Sequence, residues 1–215
     1  MTARALTAEA LGTALLVAAV VGSGIMAQSL TTDTALALLA NTIATGAALF
    51  MLITTFGAVS GAQFNPAVTL VFALRGEIAP NLALAYVIAQ CLGGVIGTLA
   101  AHAMFDLALL QTSTHIRSGA PQYLSEIIAT FGLILAILGA INAKANVATT
   151  VACYITAAYW FTASTSFANP AVALARAFTD TFAGIRPADL GGFWAAEVVG
   201  AVLAAALGGW LFKKT

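Results

Sequence analysis

Charged residues are scarce in this chain: eight Lys and Arg and eight Asp and Glu make up 7% of its 215 residues. A soluble domain of ordinary composition carries about 25% charged residues. Because 61% of the residues are hydrophobic, the chain cannot cover a water-facing surface, and we expect an integral membrane protein. The formal net charge is zero, so a polybasic patch is missing and nucleic acid is not an expected partner.

Cysteine is almost as scarce, with two in the whole chain. Cys91 and Cys153 both fall inside apolar runs, which favours small buried side chains over a disulfide framework or a metal site. We also find no nucleophile–base pair, no cluster of metal-ligating residues and no glycine-rich phosphate loop. The sequence therefore predicts neither an enzyme nor a bound cofactor.

Long apolar runs, in contrast, are abundant. A helix needs about 20 apolar residues to cross the hydrocarbon core of a bilayer. Six runs have about that length: 7–28, 35–57, 82–103, 122–142, 146–163 and 190–211. Two further runs, 65–75 and 169–179, are about half as long. We therefore predict an all-α membrane protein with six transmembrane helices and two half-helices that enter the membrane without crossing it.

Both short runs begin with the same three residues, Asn-Pro-Ala. Asn is a favoured N-cap, and Pro suits the first helical position because its missing N–H would have no partner there. The residue before a Pro is pushed out of the α region, so an extended segment should lead into each half-helix. The two motifs are Asn65, Pro66 and Ala67, and Asn169, Pro170 and Ala171.

The order of the runs predicts an internal repeat within a single domain. Repeat one spans 1–104 and repeat two spans 122–215, joined by a connection over 105–121, and each contains two long runs, a short run and a further long run. Ala-Glu9-Ala opens the first span and Ser-Glu126-Ile opens the fourth. Because each repeat crosses the membrane three times, the second must be inverted, an arrangement that places a substrate path at the repeat interface.

The cations in the short connections predict the orientation, because Lys and Arg accumulate on the cytoplasmic side. With six crossings, one side would carry more of them: Arg4, Arg75, Lys144, Lys213 and Lys214. The other side would carry Arg117, Arg176 and Arg186. We therefore expect a multi-pass protein of the cell inner (plasma) membrane with both termini in the cytoplasm.

The extended segments before the half-helices predict a pore. Unpaired backbone at membrane depth is tolerated only inside protein or along a water-filled cavity. We expect the lumen to be lined by backbone carbonyls of Gly61, Ala62, Gln63, Thr165, Ser166 and Phe167. The positive ends of the two half-helix dipoles would meet there, with the amides of Asn65 and Asn169 as donors to a passing solute.

These motifs resemble the aquaporin, or major intrinsic protein, family. The residues that carry the resemblance are Ser-Gly-Ala-Gln-Phe-Asn-Pro-Ala-Val-Thr, the second Asn-Pro-Ala, the paired span glutamates and Phe193-Trp194, and it covers essentially the whole chain. The resemblance implies a right-handed bundle of six tilted helices and two half-helices. It also implies a homotetramer in membrane lipid, with one pore per subunit.

The outer filter of the family departs from its usual pattern here. The typical second motif continues with an arginine, whereas this chain has Val172. The resemblance places the other filter positions at Thr45, Ala157 and Ser166, all small and uncharged. A filter of this kind predicts a wide pore for water and small polyols. Phe193-Trp194 is instead typical of water-type members, so a water-selective channel remains an alternative.

A valine in the filter is similar to channels found beside bacterial arsenic-resistance genes, which implies permeation of arsenic species. Arg176 lies four residues after Val172, hence one helical turn further out on the same face. We predict that Arg176 places a positive charge at the outer mouth, where it would steer anions toward the pore.

The acids inside the first and fourth spans, Glu9 and Glu126, leave a structural and a functional interpretation. Charged residues at membrane depth are rare and mark functional sites. We expect these two to accept hydrogen bonds from the extended segments rather than to relay protons. An ion-coupled secondary transporter is the rival class, but it would need a coupling-ion site.

Overall fold

The computed structural model describes residues 2–213, and Lys214, one of the cations counted on the cytoplasmic side, lies outside this range. Within the described range the fold is built from eight α-helices and a single 3-10 turn at Pro187–Asp189. The helices are α1 (Thr2–Leu30), α2 (Thr34–Ser60), α3 (Pro66–Leu74), α4 (Pro80–Met104), α5 (Ala120–Ala143), α6 (Val147–Phe161), α7 (Pro170–Arg176) and α8 (Leu190–Leu211). The all-α class predicted from the sequence is confirmed.

Five helices in the described range are long and apolar enough to cross a membrane, namely α1, α2, α4, α5 and α8. The run predicted over 146–163 is shorter than expected, because α6 has 15 residues and so spans about 22 Å at 1.5 Å per residue. Asn146 caps its start through a hydrogen bond from the Thr149 N–H at 3.0 Å. Thr162, with φ −111° and ψ 138°, leaves the helix at its other end.

The two half-helices begin at the Asn-Pro-Ala motifs. The Asn65 side chain accepts a hydrogen bond from the Ala67 N–H at 2.9 Å, and Asn169 accepts one from the Ala171 N–H at 3.0 Å. Helix α3 has nine residues and α7 has seven. The second half-helix ends three residues before the predicted 179, because the chain tightens there into a turn in which the Ala177 N–H bonds to the Leu174 carbonyl.

Helix packing follows the same pattern in both halves. Helix α1 packs against α4 in the first half, and α5 packs against α8 in the second, while α2 and α6 contact each other across the halves. The α1–α4 contact is close because Gly93 and Gly97 face the backbone of Ala10 and Ala14, where any Cβ atom would overlap a carbonyl group. Small residues that let helix backbones approach are the usual device for association in membranes.

The close approach of α1 and α4 gives a stability prediction. Gly97→Leu should separate the two helices, with a cost of at least about 2 kcal/mol because backbone cannot yield as a flexible side chain can. We expect its unfolding temperature in detergent to drop by about 5 °C or more. The matched control is Gly209→Leu in α8, where the added side chain would meet open space. Equal unfolding temperatures for the two variants would contradict this account of the packing.

Candidate pore and selectivity filter

A cavity of about 570 Å³ lies where the two half-helices begin. Its wall includes both extended segments together with side chains from α1, α2, α5 and α6. Asn146 at the start of α6 and Tyr159 near the end of that helix both line it. The cavity therefore runs along α6 and passes the two Asn-Pro-Ala motifs on the way.

The two motifs are tied to each other by their asparagines. The Asn65 Nδ2 donates to the Ala168 carbonyl at 2.7 Å, and the Asn169 Nδ2 donates to the Phe64 carbonyl at 2.8 Å. A side-chain amide has two N–H donors, so each Asn keeps one beyond this cross-link. Both asparagines line the cavity, whereas the Pro and Ala residues of the two motifs lie outside its wall. The predicted lumenal donors thus also bind the opposite loop.

The extended segments hold an unusual backbone conformation. Ala62 and Phe64 in the first segment have φ near +48°, as do Ser166 and Ala168 in the second, and Thr165 has φ +62°. This left-handed region costs a residue with a Cβ about 1–2 kcal/mol. Other hydrogen bonds must offset that cost, because residues 2–213 form no strand that could pair with these segments.

Glu9 is fully buried and supplies those bonds for the first segment. One carboxylate oxygen accepts from the Ser60 hydroxyl at 2.6 Å and from the Gln63 N–H at 3.0 Å. The other oxygen accepts from the Phe64 N–H at 2.7 Å and from the Gln90 side chain at 2.8 Å. Both oxygens are therefore occupied in holding the segment.

Two buried acids divide the same task in the second segment. Glu126 accepts from the N–H groups of Phe167 and Ala168 at 2.9 and 2.7 Å. Glu197 accepts from the next N–H group, that of Asn169, at 2.9 Å. The sequence analysis assigns no role to Glu197, but the internal repeat contains a signal for one. Ala-Glu197-Val-Val-Gly occupies the place in repeat two that Ala-Gln90-Cys-Leu-Gly occupies in repeat one.

Three of the four predicted filter residues line the cavity: Thr45, Ser166 and Val172. The prediction of Ala157 as a filter residue was wrong, because Ala157 is exposed on the outside of α6 and does not belong to the cavity wall. Helix α6 buries the stripe that contains Ile155 and Tyr159, and a residue two positions away on a helix of 3.6 residues per turn points to the opposite side.

The α6 side chain that meets Thr45 at the cavity wall is Tyr159 and not Ala157. Its side chain is buried and lines the cavity, and its hydroxyl donates to the Thr45 hydroxyl at 3.3 Å. Sequence reasoning missed this residue by two positions. The α6 run contains no polar anchor comparable to the Asn-Pro-Ala motifs, and only its four-residue apolar spacing could have indicated the correct face.

The lining by the extended segments differs slightly from the prediction. Gly61, Ala62 and Gln63 line the cavity as expected. In the second segment the lining consists of Ser166, Phe167 and Ala168, whereas Thr165 lies outside the wall. The Thr165 N–H bonds to the Thr162 carbonyl at 3.2 Å, so this residue still belongs to the turn that ends α6.

Arg176 does not lie at an open outer mouth. Arg176 is only 3% exposed, and its guanidinium carbon lies 3.4 Å from the centre of the Phe167 ring. The Nε donates to the Ala183 carbonyl. Arg176 nevertheless lines the same cavity as Val172. The predicted role as a solvated charge that steers anions from the rim is therefore wrong, because folding buries the side chain in the cavity wall.

The hydrogen bonds of Glu9 generate the prediction for this site. Glu9→Gln replaces one accepting oxygen with an NH2 group that would face N–H donors of the loop. We therefore expect the free energy of unfolding to fall by about 3 kcal/mol. Thermal unfolding in detergent and water flux in vesicles should both report this change. The control is Glu77→Gln, which removes an exposed ion pair with Arg75. A Glu9→Gln channel as stable as the Glu77→Gln channel would show that the carboxylate does not hold the loop.

Comparison with known proteins agrees with this geometry. A family model described as Major intrinsic protein matches residues 1–207. The chain is 62% identical over 211 residues to the aquaglyceroporin AqpS of Rhizobium meliloti (strain 1021), covering 98% of this chain and 91% of that protein. It is 39% identical over 138 residues to a probable TIP-type aquaporin of Antirrhinum majus, covering 61% of this chain and 54% of that protein.

A solved structure is also similar over nearly the whole chain. The aquaglyceroporin from Plasmodium falciparum matches with a TM-score of 0.75 at 25% identity, covering 96% of this chain and 95% of that one. The cavity between paired Asn-Pro-Ala half-helices thus occurs in a chain that aligns with channels over nearly its full length. This chain belongs to the major intrinsic protein family, whose members are membrane channels and not enzymes.

Proposed function

We propose that the chain is a passive channel for water and small solutes, namely polyols and arsenic species. The observation that carries the proposal is the short Val172 side chain in the cavity wall, directly after the second Asn-Pro-Ala motif. Thr45 and Ser166, which share this part of the wall, are also short. Although the larger Tyr159 shares this wall, the three short side chains beside it leave room for a solute larger than water, and pore diameter and lining groups set selectivity in such channels.

Polar groups in the wall suit solutes that carry hydroxyls. The remaining amide N–H groups of Asn65 and Asn169 are donors, and the carbonyls of the two extended segments are acceptors along the same path. The relative from Rhizobium meliloti is named an aquaglyceroporin, which supports permeation of glycerol. Arsenous acid is a small neutral molecule with three hydroxyl groups, so the same donors and acceptors fit it.

The two alternative functions make different demands on the wall. A water-selective channel would need a narrower constriction than Thr45, Ser166 and Val172 leave beside Tyr159. An ion-coupled transporter would need a carboxylate free to bind an ion in the pore, but Glu9 and Glu126 use both of their oxygens to hold loop N–H groups. Glu197 has one oxygen without a hydrogen-bond partner among residues 2–213, but it does not line the cavity. We therefore favour a passive pore over both.

The membrane placement belongs to the same proposal. The inner membrane of a bacterial cell is the location that the Rhizobium relative supports, with both termini on the cytoplasmic side. Large apolar side chains such as Ile43, Leu92, Ile96 and Trp210 are exposed on the bundle surface. They suit contact with lipid and with neighbouring subunits of a homotetramer.

Stopped-flow light scattering on proteoliposomes tests the solute range. The parent channel should shrink rapidly in sucrose and then swell rapidly in glycerol, arsenite and methylarsenate. Val172→Arg should keep water flux and slow glycerol and arsenite entry by about tenfold, equivalent to about 1.4 kcal/mol of added barrier. The physical reason is that a long cationic side chain would fill the space that Val172 leaves open.

The matched control is Ala157→Val, because Ala157 is exposed outside the cavity. This variant should transport every solute like the parent. Rapid water flux with slow swelling of the parent in all solutes would identify a water-selective channel instead. Saturating flux that responds to a proton or sodium gradient would identify a transporter.

A further inference from the structure

Arg176 is a cation at membrane depth without an ion-pair partner. Within residues 2–213, its guanidinium has no carboxylate within 4.0 Å, and the ion pairs present involve other residues. Burying an unpaired charge is costly. An ionisable residue inside the membrane is by default a candidate for function, and loop packing alone does not require an arginine at this position.

The side chain is fixed by two contacts that leave its outer edge free. The Nε donates to the Ala183 carbonyl, and the guanidinium plane lies on the face of Phe167. A cation over an aromatic ring is stabilised by the ring quadrupole. Within residues 2–213 the two terminal nitrogens make no hydrogen bond, yet neither is fully buried. Since Arg176 lines the cavity, these nitrogens have the lumen as their open side.

The direction of side chains on α7 places the Arg176 guanidinium near Ser166 and Val172. Side chains on a helix lean toward its N-terminus, over the turn that precedes them. Arg176 lies one turn after Val172, and the Phe167 ring beneath it follows directly on Ser166. The guanidinium is thus directed toward the wall formed by Ser166 and Val172. A longer residue at position 172 would compete with it for this space.

We infer that Arg176 supplies the fixed cation of the filter from one helical turn further along α7. Its guanidinium raises the barrier to cations, including hydrated protons, and offers N–H donors to the hydroxyl or anionic oxygen of a passing solute. This inference rests on the proposed function, because it assigns the selectivity of the same pore.

The electrostatic surroundings keep the charge effective in the lumen. Its charged neighbours are Arg117, Glu126 and Glu197, with the Tyr159 hydroxyl also close. Arg117 is a second cation, 5.1 Å from the centre of the same Phe167 ring. Both oxygens of Glu126 accept hydrogen bonds from loop N–H groups, those of Phe167 and Ala168. The cations and the acids thus meet at the same loop, but only Arg176 among these four lines the cavity.

Ion leak through the whole channel in proteoliposomes tests the inference. Arg176→Gln should raise potassium and proton leak by about tenfold or more, because a unit charge a few ångströms from the ion path is removed. Water flux should stay close to that of the parent. Arg176→Lys keeps the charge and should restore a low leak. Unchanged leak in an Arg176→Gln channel that still conducts water would overturn the inference.

Arg75→Gln is the matched control, since it removes a positive charge from an exposed position outside the cavity wall. It should leave the leak at the parental level. An equal rise in both Gln variants would overturn the inference, because the effect would then come from the net charge of the protein. If the parent channel conducts neither water nor glycerol, the proposed function itself fails.

A measurement on the unmodified channel covers the case in which Arg176→Gln does not fold. In planar bilayers with a potassium chloride gradient, the reversal potential gives the sign of the residual ion current. A filter with a fixed guanidinium should prefer chloride. A residual current carried by potassium would overturn the inference without any variant.

Discussion

Buried carboxylates that bind backbone N–H groups are the interaction on which the rest of this structure depends. A half-helix can begin at mid-membrane only if the extended chain before it is satisfied, since each unpaired backbone group costs several kcal/mol in hydrocarbon. Glu9 binds two consecutive N–H groups of the first segment, and Glu126 with Glu197 binds three of the second. The acids thus occupy the N–H groups of both segments, while the Phe64 and Ala168 carbonyls accept from the asparagine of the opposite motif.

Asn65 and Asn169 link the two extended loops to each other. Each uses its oxygen to cap its own half-helix and its nitrogen to bind the opposite loop. A pair of hydrogen bonds therefore ties the two half-helix starts directly to each other. The strained left-handed residues beside them persist because these bonds and the acids fix the backbone from both sides.

The features that the sequence could predict are those with local or repeated signals. The Asn-Pro-Ala caps, the spans and the places of Glu9 and Glu126 follow from capping chemistry, run length and the internal repeat. Tyr159 was missed because α6 is a nearly continuous apolar run, in which a two-residue shift leaves the composition unchanged. Arg176 was misplaced because its partners, Phe167 and the Ala183 carbonyl, come from segments before and after its helix. A charge near a helix end suggests solvent until the tertiary contacts are known.

The two halves of the pore differ in one exchange that explains how an arginine can be tolerated in its wall. Gln90 supports the first loop through Glu9, whereas Glu197 occupies the corresponding place and binds the second loop directly. The second half therefore carries one acid more, and both Arg176 and Arg117 lie over the Phe167 ring of that loop. The acids attach to the N–H side of the loop, and Arg176 lines the lumen on the other. The nearby acids offset part of the cost of burying a cation, and this offset lets Arg176 keep the free donors that its inferred role in the filter requires.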